Sequence, residues 1–146
     1  QDAAVAATKA GARFVDPHDA TVVVLAQGLL DLGLLDPNKV GSAQDVIANR
    51  SYFPFYMHRT GHWLGLDVHD AGEYKDKTGH WRMLEPGMML TVEPGCYVRP
   101  ADNVPEHFWN IGIRIEDDVL VTASGCDVIT SDAPKTVAEI ESVMAS

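Results

Sequence analysis

Pro94-Gly95 interrupts "MMLTVEPGCYV", a run that otherwise reads as one continuous β-strand. Proline has no N–H to give to a ladder, and glycine weakens a strand interior, so the strand must break there. Upstream of the break, Met88, Leu90 and Val92 project from one face and Met89, Thr91 and Glu93 from the other. Proline also holds the residue before it extended. Glu93 therefore ends a strand with its carboxylate fixed on one face.

Two other segments share this character. In "IGIRIEDDVLVTASG", Ile111, Ile113 and Ile115 alternate with Gly112, Arg114 and Glu116. A strand with three isoleucines on one face buries that face, and a tight turn at Asp117-Asp118 leads into a further strand. From His62 to Asp70, His62, Leu64, Leu66 and Val68 have strand parity against Trp63, Gly65, Asp67 and His69. Gly61 and Gly65 argue against a helix here.

Helices occupy the rest. The first spans Asp2 to Gly11. The second runs from Ala20 to Leu32, with Val22, Val23, Leu25, Leu29, Leu30 and Leu32 on a broad apolar face. A loop surrounds Pro37, and Ser42 caps a short helix through Ala48. "APKTVAEIESVMA" forms a last helix, with Val137, Ile140, Val143 and Met144 on one face. Helices first and strands later indicate an α+β domain, and residues 1–146 fit one such domain.

Composition narrows the function. With 11 basic and 21 acidic side chains the net charge is −10, and no Lys/Arg cluster offers phosphates a dock. Nucleic acid and anionic membranes are therefore not expected partners. "TVVVLAQGLLDLGLL" is broken by Gln27, Gly28 and Asp31 and is too short to span a bilayer. Cys96 and Cys126 form no C-x-x-C pair, which suggests reduced thiols and a cytoplasmic protein.

"HRTGHWLGLDVHD" holds three of the six histidines, His58, His62 and His69. The His58-x-x-x-His62 spacing is not that of a zinc-protease helix, because Arg59 stands where the catalytic glutamate belongs and the glycines spoil the helix. His62 together with the strand carboxylates Glu93 and Glu116 is a different matter. Imidazole mixed with carboxylate suits Mn²⁺, Co²⁺, Fe²⁺ or Zn²⁺. Taken singly, each residue has an ordinary structural reading, and Arg114 beside Glu116 could be a plain surface ion pair.

In this order and separation, "FYMHRTGHWLGLDVHD", "LEPGMMLTVEPGCYV" and "IGIRIEDDVLVT" resemble the C-terminal part of the catalytic domain of aminopeptidase P. This is the proline-specific branch of the pita-bread metallopeptidases, which also include prolidase and methionine aminopeptidase. The resemblance implies helices followed by a curved, mostly antiparallel sheet. It implies a hydrolase that removes the residue before a proline at the second position of a peptide, and the apolar surface bared by an incomplete sheet domain leads us to expect a homo-oligomer. Two metal ions, manganese foremost, would activate a water for the attack. By motif, His62, Glu93 and Glu116 look like metal ligands, with Glu93 also the proton carrier. His58 and His69 resemble accessory histidines that contact substrate, and Arg114 an arginine that orients a ligand carboxylate. The runner-up within the class is an Xaa-Pro dipeptidase; outside it stands a peptide-binding module without catalysis.

The family's centre also uses two aspartates on an upstream hairpin, and Asp2, Asp16 and Asp19 match no such motif. The chain opens in helix-forming sequence with no Met, which reads as the interior of a longer enzyme. On this reading the chain alone is inactive and holds metal weakly or not at all.

Overall fold

The structure, a computed structural model, describes residues 1–145. Four helices come first: α1 (Asp2–Ala7), α2 (Asp16–Asp31), α3 (Pro37–Val40) and α4 (Ala43–Ala48). α1 stops short of Gly11 because Thr8 turns extended and its hydroxyl donates to the Ala4 carbonyl at 2.9 Å. α2 starts earlier than Ala20. Pro17 sits in its first turn, where a missing N–H costs nothing, and Asp16 and Asp19 complement the helix dipole. Val22, Ala26 and Leu29 carry its buried face, whereas Val23 and Leu32 are exposed. α4 begins with the expected Ser42 cap, reciprocated by Asp45 onto the Ser42 N–H. Pro37 opens the short α3 in place of the expected loop.

Five strands follow: β1 (Met89–Val92), β2 (Gly95–Val98), β3 (Ile111–Arg114), β4 (Asp117–Val121) and β5 (Cys126–Val128). They form two antiparallel sheets, β1-β4-β5 and β2-β3. The break at Pro94 passes the chain from one sheet to the other. Its partner does the same at Ile115-Glu116, since Val92 pairs with Asp117 but Gly95 pairs with Arg114. The expected turn at Asp117-Asp118 is therefore absent: both residues lie in β4, and β3 and β4 have different partners.

The strand expected from His62 is also corrected. Only its start touches β1, where Trp63 bridges Leu90 and the Leu64 N–H donates to Met89. The chain then folds back, with the Asp70 N–H donating to the Trp63 carbonyl, and leaves Leu66 and Val68 in solvent. Without a partner strand, alternating parity has no sheet to act on.

The two sheets bury different cores. Leu90, Val92, Val119 and Val121 pack with Phe14, Trp63 and Leu84, while Val98 joins Val22, Leu29, Val46 and Tyr56. β3 belongs to neither. Ile111 and Ile113, expected to be buried, are 42% and 56% exposed, and an open cavity separates Ile113 and Ile115 from Val137 and Ile140. The last helix, α5 (Val137–Met144), also leaves Val137, Ile140, Val143 and Met144 exposed. The total accessible surface is 8996 Å², against about 7,400 Å² for a compact 146-residue monomer.

Two predictions follow from the packing and capping. Leu90→Ala removes a side chain only 2% exposed and should cost about 2–5 kcal/mol in urea unfolding. Leu66→Ala, at a fully exposed position, should stay within about 0.5 kcal/mol. At α5, the backbone N–H groups of Thr136 and Lys135 and the Thr136 hydroxyl hold the Glu139 carboxyl down to about 2. A carboxyl depressed by folding stabilises above its ordinary value and loses that contribution as pH falls through the folded one. The Thr136 amide resonance should therefore keep its capped shift well below pH 4.5 and move only towards about pH 2. A midpoint near 4.5 would refute the cap.

Candidate metal centre

The sheet-to-sheet crossing determines where the carboxylates lie. Glu93 is the residue between β1 and Pro94, and Glu116 the residue before β4, so the two glutamates face each other across the paired breaks. The third member, His62, is brought in by the segment beside β1. Gly61 makes that approach possible: a Cβ there would lie 1.9 Å from the Thr91 carbonyl oxygen. The Thr91 N–H donates to the His62 carbonyl at 3.0 Å, and the His62 N–H to the Thr91 hydroxyl at 3.1 Å.

One ligand atom from each of His62, Glu93 and Glu116 lies within 4.8 Å of the others. The hydrogen bonding around them fits a cation. His62 Nδ1 is 3.0 Å from the Trp63 carbonyl, which can only accept, so Nδ1 carries the proton. In the neutral ring Nε2 then presents a lone pair, yet it faces Glu93 Oε1 at 3.2 Å. With the ring protonated this contact is an ion pair; with the ring neutral it is a pair of acceptors that a bound cation would hold together. The carbonyl-oriented imidazole is also the usual outer-shell arrangement of a ligating histidine.

Glu93 is 8% exposed and fully partnered. Oε1 accepts from the Thr91 hydroxyl at 3.1 Å, and Oε2 from Arg114 Nη1 at 3.2 Å. Its N–H donates to the Thr60 carbonyl at 2.6 Å. Thr60 in turn lies in a buried hydroxyl cluster with Tyr56, whose phenol burial pushes up to about 12, and with His18. Glu116 is exposed, and its carboxyl is pushed up by partial burial first, then by the negative charges of Glu93 and Asp118. Asp117, beside it, is buried and accepts from Lys135 Nζ at 2.6 Å, from the Thr130 hydroxyl and from the Gln1 side chain. Burial opposes ionisation of Asp117, but these donors outweigh it and hold the carboxyl below its usual range. That cluster pins the start of β4, and Glu116 with it.

All the sequence-derived site residues converge. His58, His62, His69, Glu93 and Arg114 line one cleft of about 310 Å³ together with Arg59 and Tyr74. The His69 ring meets His62 edge-on, with centroids 4.2 Å apart. His58 donates from Nδ1 to the Arg59 carbonyl at 2.7 Å, which leaves Nε2 to accept from the Tyr97 hydroxyl at 2.8 Å. Arg114 Nε donates to the same hydroxyl at 2.7 Å. Tyr97 thus couples His58 to Arg114, and sequence reasoning missed it. Its signal lay in two glycines: a Cβ on Gly95 would come within 2.5 Å of the Tyr97 hydroxyl, and one on Gly112 within 3.3 Å of its ring. Thr91 was missed too, although it shares the face of Glu93.

A pair of divalent ions brings +4, whereas this cluster offers two carboxylates and a neutral imidazole. At close quarters the excess repels strongly. Equilibrium dialysis of this chain with Mn²⁺ should find no more than one ion per chain, lost in His62→Ala. Two tightly held ions would mean that the ligand set is larger than these three residues.

The sequence profile of metallopeptidase family M24 matches residues 1–123. An Xaa-Pro aminopeptidase of Haemophilus influenzae is 46% identical over 128 residues, covering 87% of this chain and 28% of that protein. One of Escherichia coli is 44% identical over 135 residues, covering 92% and 29%. Among solved structures, Pseudomonas aeruginosa aminopeptidase PepP superposes with a TM-score of 0.92 at 52% identity, over 99% of this chain and 32% of its own. Escherichia coli aminopeptidase P with the inhibitor Pro-Leu gives 0.89 at 40% identity, over 99% and 31%. The chain thus spans less than a third of the relatives it matches.

Proposed function

This chain belongs to metallopeptidase family M24, and from that premise we propose that the whole protein is an Xaa-Pro aminopeptidase. Its fold is that of the aminopeptidase P pita-bread domain, of which it covers a part. The observation that carries the reading is the convergence of one ligand atom each from His62, Glu93 and Glu116 within 4.8 Å of one another, with His62 Nε2 3.2 Å from Glu93 Oε1. Divalent ions bound there would supply Lewis acidity and a water acidic enough to deprotonate at neutral pH. Mn²⁺ is the proposed metal, because a carboxylate-rich set favours it over softer ions. The charge deficit calls for further carboxylates, and we assign these to the part of the relatives' length that this chain does not span.

The chain's own residues divide the remaining work. Glu93, held on Oε2 by Arg114 and on Oε1 by Thr91, is positioned to take a proton and return it to the leaving proline nitrogen. His69, exposed and edge-on to His62, can donate to a substrate carbonyl oxygen as negative charge develops there. His58 and Arg114, joined through Tyr97, form a rigid wall that fixes the Glu93 carboxylate. The two free cysteines, each raised by burial, support a cytoplasmic location. The uncovered isoleucines of β3 and the apolar face of α5 support assembly with further protein surface, homo-oligomeric in this proposal.

The test is cleavage of Xaa-Pro-Xaa tripeptides in Mn²⁺ by the full-length protein and by this 146-residue chain. The full-length protein should release the first residue, the chain alone should be silent, and Glu93→Gln should lower turnover by about 10²–10⁴-fold. Cleavage of Xaa-Pro dipeptides alone would assign the protein to the prolidases. Peptide binding without hydrolysis would make it a binding module.

A further inference from the structure

Two arginines line the cleft, and their surroundings differ. Arg114 pairs with Glu93, whereas Arg59 has no carboxylate within 4 Å among the described residues. That is unexpected in a chain with 21 acidic and 11 basic side chains. The guanidinium of Arg59 is held by aromatic faces instead, 5.0 Å from the Trp81 ring centroid and 5.8 Å from that of Tyr74. Both rings are fixed in place: Tyr74 stacks on Trp63 with a 3° interplanar angle, and Trp81 lies against Phe14. Trp81 also carries Lys75, with Nζ 4.4 Å from the centroid, and Lys75 likewise lacks an acidic partner among the described residues. Two cations converge on one indole without a counter-anion.

An arginine lying over rings keeps the N–H donors at the edges of its guanidinium free, and their planar fork matches a carboxylate. No carboxylate among the described residues pairs with that fork, and the cleft it lines is the one containing His62 and Glu93. Resting on the aminopeptidase reading, we propose that Arg59 binds the free C-terminal carboxylate of a short peptide, and so favours tripeptide-sized substrates over blocked or longer ones. After cleavage before proline, the leaving dipeptide spans about 7 Å when extended. That reach allows its nitrogen to lie at the metal cluster while its carboxylate meets an arginine on the rim of the same cleft. Arg59 is only three residues from His62, so one segment presents both ends of the site.

Inhibition of the Mn²⁺-loaded, full-length protein by Pro-Leu and by Pro-Leu amide tests this. The acid should bind about tenfold or more tighter than the amide, as a charge-assisted hydrogen bond predicts. In Arg59→Gln the ratio should fall to within about twofold, and Arg59→Lys should retain an intermediate value. Trp81→Leu, which removes a ring from under the guanidinium and leaves its charge, should lower the ratio partway. If the wild-type protein cleaves Xaa-Pro bonds but binds acid and amide alike, or if Arg59→Gln preserves the ratio, the Arg59 assignment falls and the enzyme reading stands. If the protein neither cleaves Xaa-Pro bonds nor binds either compound, the enzyme reading falls and takes the Arg59 assignment with it.

Discussion

A proline that cannot donate to a ladder determines the arrangement of this site. At Pro94 the hydrogen-bonded pair of strands must part, and the opposing strand parts with it at Ile115-Glu116. Each strand leaves one sheet and joins another, and a glutamate stands at each departure. Within a regular ladder, side chains directly opposite would be spaced by the pleat. At a paired break they can turn toward a common point, and Glu93 and Glu116 do so. The same break assigns β1 and β2 to different cores, so Glu93 is anchored on both sides by buried valines and leucines, and Glu116 on its β4 side by Val119 and Val121.

The local hydrogen bonds make this arrangement rigid at Glu93 and leave it tense at Glu116. Thr91 accepts from the His62 backbone and donates to Glu93, so a single hydroxyl sets the distance between two ligands. Arg114 neutralises the buried Glu93, without which an 8% exposed carboxylate would be costly. Glu116 has no ion pair among the described residues, and partial burial first, then the charge of Glu93, raises its carboxyl. A lone pair aimed at a carboxylate and two neighbouring carboxylates are both unfavourable in isolation. A cation bound among them would relieve both at once.

Those parts of the sequence that rest on backbone chemistry were legible. The Ser42 cap, the break at Pro94 and the alternation that sends Glu93 opposite Val92 are local rules, and all of them hold. Parity failed where it required a neighbour. Leu66 and Val68 alternate correctly but meet no sheet, and the isoleucines of β3 alternate over a face that stays largely exposed. The convergence of His62, Glu93 and Glu116 was readable because motif order carried it. Tyr97 and Thr91 were not, because each acts by reaching a side chain from another segment, and period-two alternation gives only a face and no partner.

The exposed surface of β3 and α5 and the charge deficit of the metal cluster are one incompleteness expressed in two ways. A strand that buries three isoleucines in a finished sheet has the same sequence whether or not its cover is present, so Ile111 and Ile113 show what the fold expects to meet. The cavity of about 650 Å³ between β3 and α5 is lined by Ile113, Ile115, Val137 and Ile140, and it opens onto Glu116. Whatever fills it would reach Glu116, the candidate ligand with no ion pair among the described residues. On the proposed two-metal reading, apolar cover and additional carboxylates are both called for at the same edge. A single segment with one apolar and one acidic face satisfies both demands, and two unrelated segments would have to meet there to do as much.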